Sequence, residues 1–78
     1  MAGTLSEVRE LDAAAAEARS VLRRLERLRS RLQEGQNPVL LQQAESVLEG
    51  GQQLLALIET ERAQARQQLR GVLRGGAD

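Results

Sequence analysis

The tetrapeptide Gly35-Gln36-Asn37-Pro38 constrains this chain more than any other feature. A glycine just past a helix end, an asparagine at an N-cap and a proline at the first helical position, in that order, describe one helix stopping and another starting. Long stretches with helical periodicity lie on both sides. Before the turn, Leu11, Ala18, Leu25 and Leu32 recur every seven residues, flanked by Ala14, Val21 and Leu28 and by Val8, Ala15 and Leu22. Together they make one apolar helix face. Thr4-Leu5-Ser6-Glu7 opens this stretch as a capping box, with Thr4 at the N-cap and Glu7 at N3. The pattern predicts a first helix over about 5–34, a turn at 35–37, a second helix over about 38–74 and a disordered tail at 75–78.

The second stretch contains a conflict. Gly50 and Gly51 sit in its middle, and each glycine in a helix interior costs about 1 kcal/mol relative to alanine. Yet Leu41, Ala44, Leu48, Gly51, Leu55, Ile58, Arg62, Ala65, Leu69 and Val72 keep alternating spacings of three and four through the pair. A turn would have no reason to preserve that phase. The expectation is a continuous helix in which Gly50 and Gly51 permit close packing of another helix; a kink or frayed joint is the plainer alternative.

So short a connection forces the helices antiparallel. Folding about Gln36 sets Gly50 and Gly51 opposite Val21 and Leu22, and Ala13 to Ala16 opposite Leu57 and Ile58, so that large meets small. The basic stretch Arg19 to Arg31 is placed against a stretch containing Glu45 and Glu49. Arg62 interrupts the seam, and 63–74 is helical by propensity but poorly apolar. The predicted fold is all-α: a coiled-coil-like antiparallel hairpin of two helices, forming a single domain over 1–78.

That hairpin has more apolar surface than it can bury. Leu40, Val47 and Leu54 form a column beside the seam, and Leu57 lies on a further flank. Burial of apolar area is favourable by about 25 cal/mol per Å². The chain has 78 residues and no aromatic side chain, so its own core is small and aliphatic. A partner chain or self-association is therefore expected. Periodicity alone leaves open whether the surplus column is a homodimer seam or a heteromeric docking face.

Chemistry is sparse. His, Cys, Lys and Tyr are all absent, and Ser6, Ser20, Ser30 and Ser46 have no base to activate them. The carboxylates are dispersed, with no metal-ligand or phosphate-cradling pattern. No catalytic, cofactor or metal site is expected, and an enzyme is not. Eleven Arg balance eleven Asp and Glu, so no global field selects a polyanion. The cluster Arg19, Arg23, Arg24, Arg27, Arg29 and Arg31 reads as a solvated basic half-helix near a helix C-terminus rather than a nucleic-acid site. The absence of cysteine fits a reducing compartment. No run of 18 apolar residues or signal-peptide pattern is present, and the early capping box reads as the start of a complete short polypeptide. A cytoplasmic location, without membrane insertion, is the expectation.

The Gly-x-x-Pro turn followed by "LLQQAESVLEGGQQLLALI" resembles the YscE/PscE/SsaE family of bacterial type III secretion co-chaperones. The resemblance spans roughly Leu5 to Ile58 and is carried chiefly by Gly35, Pro38, Leu48, Glu49, Gly50 and Gly51. An aromatic residue that usually opens the family's second helix is absent here. The resemblance implies a small cytosolic hairpin that, with a larger tetratricopeptide-like chaperone, holds the needle subunit and prevents its premature polymerisation. Leu40, Val47, Leu54 and Leu57 would then dock on the chaperone's helical repeats. The alternatives are an antiparallel coiled-coil module for a signalling protein, of Rho-GTPase-binding or BAG-like type, and a purely structural homodimer.

Overall fold

The computed structural model describes residues 4–75, with side chains described as far as Val72. Two helices account for it: α1 (Leu5–Glu34) and α2 (Pro38–Gly75). They pack along their length as an antiparallel hairpin measuring 63 × 15 × 14 Å. At 1.5 Å per residue, a helix as long as α2 spans about 57 Å, so the long axis is essentially one straight helix. The helix runs unbroken through Gly50 and Gly51. The tail expected at 75–78 begins with Gly75, which closes α2; its remaining residues lie outside the described range.

Local chemistry sets each helix end. Thr4 Oγ1 accepts from the Glu7 N–H at 3.0 Å, satisfying one of the donors that α1 leaves unpaired at its start. Asn37 Oδ1 does the same for the Leu40 N–H at 3.1 Å, and the Asn37 carbonyl accepts the first helical bond from Leu41 at 3.0 Å. Pro38 costs no hydrogen bond at the first helical position.

The turn differs from expectation by one residue. Gly35 keeps right-handed backbone angles (φ −74°), and its N–H donates to the Arg31 carbonyl at 3.1 Å as though the helix continued. Gln36 is the left-handed residue, at φ 55°. Asn37 is committed to capping α2, so the reversal falls on the single residue between the last helical bond and that cap. Glycine's conformational freedom is unused at position 35.

The core consists of Val8, Ala15 and Leu22 on α1 with Ala44, Leu48 and Ala65 on α2. Register is fixed where a side chain meets a missing one: a Cβ built on Gly51 would stand 2.7 Å from Leu22 Cδ2. Counting in opposite directions from that pair puts Leu25 level with Leu48, Ala18 with Leu55, Ala15 with Ile58 and Val8 with Ala65. Most levels set a large residue against a small one, as interdigitating helices require. Val72 continues the seam spacing but is exposed. In the register set by Leu22 and Gly51 it lies beyond the level at which α1 begins at Leu5.

Candidate protein-docking surface

A coiled-coil seam has two flanks, and here they differ in chemistry. One flank is ionic. Arg66 Nη2 donates to Asp12 Oδ1 at 2.9 Å, Arg62 Nη1 reaches the same oxygen at 3.4 Å, and Arg19 pairs with Glu59 at 3.6 Å. These are the ion pairs joining the helices among the described residues, and they displace the expected pairing of the Arg19 to Arg31 stretch with Glu45 and Glu49. Glu49 lies away from α1 on the outer surface of α2. Arg62, whose position in the seam looked like a weak point, is held half-buried by Asp12.

The opposite flank is apolar. Val21 and Leu28 on α1, and Leu40, Val47 and Leu54 on α2, each lie seven residues from the next within their helix and are all about half exposed. Ala14 precedes Val21 in the same column. A groove of about 300 Å³ along this flank is lined by Leu25, Leu28, Leu32, Leu40, Gln43, Ala44 and Val47, so the columns of both helices contribute to one surface. Leu57 is three residues beyond Leu54, on the same side of α2, and is 64% exposed. Leu40 and Val47 thus line the groove, Leu54 continues their column beyond it, and Leu57 lies about 60° further round α2.

The two glycines separate. Gly51 is in the seam against Leu22, whereas a Cβ on Gly50 would meet nothing within 4 Å. Close packing at Gly50 therefore does not occur inside the hairpin. Successive helical residues point about 100° apart, and that rotation carries Gly50 onto the apolar flank among Val47, Leu54 and Leu57.

Two elements of this surface are not evident from periodicity. The sequence pattern places Val21 and Leu28 on the core face of the first helix; their seven-residue spacing, which matches that of Leu40, Val47 and Leu54, is the signal that pairs the two columns. The arginines, by contrast, go round the helix. Arg19 serves the ionic flank, Arg24 and Arg31 border the apolar one beside Leu28, and Arg29 lies half-buried with its Nε lacking a hydrogen-bond partner. No single basic face results.

Among the described residues, no helix is long and apolar enough to cross a membrane and no group of acidic residues could hold a metal ion. Comparison with protein-family models, with curated proteins and with solved structures finds no match.

Proposed function

We propose that this chain is a non-catalytic helical subunit that stabilises another helical protein by docking through its apolar flank. In its specific form it is a cytoplasmic co-chaperone of a type III secretion system, acting with a tetratricopeptide-like chaperone to keep the needle subunit from polymerising early. The observation that supports this reading is the segregation of the flanks. Ion pairs close one side of the seam, while the other leaves five aliphatic side chains about half exposed along both helices. Isolated exposed leucines are ordinary on a protein surface, but an aligned apolar stripe with polar borders marks an interaction site. A helical partner suits it because a groove between two helices accepts the ridge of a third.

Co-expression with a candidate chaperone and needle subunit tests this. A soluble ternary complex should form with the wild-type chain and be lost with Val47→Glu and Leu54→Glu together, while circular dichroism still reports helix. A carboxylate desolvated there without a partner costs several kcal/mol. Binding that survives both substitutions but is lost on reversing Arg23 and Arg27 on the outer face of α1 would overturn the reading.

A further inference from the structure

The apolar flank carries a pattern that no covering by an arbitrary partner explains. Its border on α1 is the column Glu10, Glu17, Arg24 and Arg31, two acidic positions followed by two basic ones at seven-residue intervals. Read backwards with charges inverted, this column is unchanged. A second α1 laid antiparallel on the first would set Glu10 level with Arg31 and Glu17 with Arg24, twice over. That reversal is centred between Ser20 and Val21; moved half a residue along, to Val21, it sets Ala14 against Leu28 of the second copy and Val21 against Val21. Small again meets large.

The other helix gives an independent reading of the same centre. In the middle of α2 the exposed positions of this flank include Val47, Gly50, Leu54 and Leu57. Reversed upon themselves about Gln52, they pair Gly50 with Leu54 and Val47 with Leu57. Counting from the Leu22–Gly51 contact, Gln52 lies level with Val21. Columns on the two helices thus reverse about one level to within half a residue, and only the intramolecular register links them.

We infer that two hairpins pair face to face about a two-fold axis passing level with Val21 and Gln52, forming an antiparallel four-helix dimer. Such an interface is isologous, and every contact occurs twice. It gives Gly50 a role: a helix-interior glycine with open space around it is destabilising in the hairpin alone, and the missing Cβ leaves room for Leu54 of the second copy. Leu57 of the second copy arrives opposite Val47, at the inner end of the groove. Leu40 falls level with Gln64 of the second copy and marks the end of the apolar contact. Because the dimer covers Val47, Leu54 and Leu57, it competes with the heteromeric docking proposed above, and a second copy caps the surface until the partner displaces it.

Two charge variants of the full chain test the axis. Glu10→Arg with Glu17→Arg makes the column wholly basic, and Arg24→Glu with Arg31→Glu makes it wholly acidic. Sedimentation velocity should show the wild type as a dimer at tens of micromolar, each variant alone at least about tenfold weaker in self-association, and the equimolar mixture restored to dimer. Val21→Glu, which sets two carboxylates face to face on the axis, should give a helical monomer. A wild-type chain that stays monomeric at 100 μM or so, or variants that self-associate as the wild type does with no gain on mixing, would overturn the inference. Wild-type monomer that still forms the ternary complex would refute the dimer alone; a dimer that follows the charge rules but never captures a chaperone would refute the functional reading alone.

Discussion

The adjacent glycines allow close helix approach to be measured against an internal control. Both lie in the interior of α2, so helix propensity favours replacing either by alanine by about 1 kcal/mol. A methyl at Gly50 meets nothing within 4 Å, whereas one at Gly51 stands 2.7 Å from Leu22 Cδ2, about 0.7 Å inside the 3.4 Å at which ordinary contact begins. Leu22 is only 8% exposed, so its tip has little free room to retreat. Overpacking of this kind costs about 1–3 kcal/mol. Gly50→Ala should therefore stabilise the monomer by about 1 kcal/mol, which raises the melting temperature of a domain this size by roughly 4–8 °C. Gly51→Ala should come out near zero. Gly51→Leu adds three further heavy atoms to a space that already lacks room for one, and should destabilise by about 2 kcal/mol. Urea and thermal unfolding by circular dichroism, at concentrations where sedimentation shows monomer, provide the readout. Adding Leu22→Ala to Gly51→Leu exchanges which helix supplies the bulk and should recover about 1 kcal/mol or more through coupling of the two sites. If Gly51→Leu stabilises as Gly50→Ala does, the helices are not in close contact there, and the register derived from that contact fails with it.

At the turn, Gln36→Gly should stabilise by about 1 kcal/mol, because a non-glycine residue in the left-handed region carries a penalty of that order. Gly35→Ala should be neutral or slightly stabilising in the same melt, since its Cβ would meet only the Arg31 and Leu32 carbonyls at 3.6 and 3.7 Å; the opposite ranking would return the reversal to position 35. Arg29→Met keeps the aliphatic stem and removes the buried, unpartnered Nε, so urea titration should show a gain of about 1 kcal/mol. Asp12→Ala should cost less than about 1 kcal/mol at low salt and still less in 1 M NaCl or so, because its partly exposed pairs with Arg62 and Arg66 are screened.

The architecture was legible because an antiparallel hairpin has one dominant degree of freedom, the position of its turn, and Gly35 to Pro38 marks that position. Continuity of α2 was legible for a related reason: phase preserved across Gly50-Gly51 is a long-range property that a local glycine penalty cannot imitate. What escaped the sequence lay within one residue of what was read. The left-handed angle passed from Gly35 to Gln36 because hydrogen bonds at both helix ends, rather than glycine's own preference, fixed where the chain could reverse. Only Gly51 entered the seam, since sequence adjacency on a helix is a rotation of about 100° and the pair could not both face α1. Val21 and Leu28 escaped similarly. Three neighbouring apolar columns on α1 are wider than the single stripe one partner helix can cover. Which outer column is left bare depends on the rotation of α1 about its axis, and turning Val8, Ala15 and Leu22 into the seam leaves Val21 and Leu28 outside it.

The two flanks are also displaced along the molecule. The ion pairs of Asp12 and Arg19 with Arg66, Arg62 and Glu59 lie toward the open end of the hairpin, where the buried residues are Val8, Ala15 and Ala65. The apolar groove lies toward the turn, where Leu22, Leu25, Leu32 and Leu48 supply the bulk of the seam. Small side chains and partly exposed charges hold the open end weakly, whereas the turn end has larger apolar contacts and a covalent connection that removes the entropy of bringing the helices together. Opening fluctuations therefore begin at the free ends and lose amplitude toward the groove. A surface placed near the turn is therefore the more firmly held part of the hairpin, and on the docking proposed above little binding energy would go into ordering it. The weaker end is left as the part of the hairpin that can adjust.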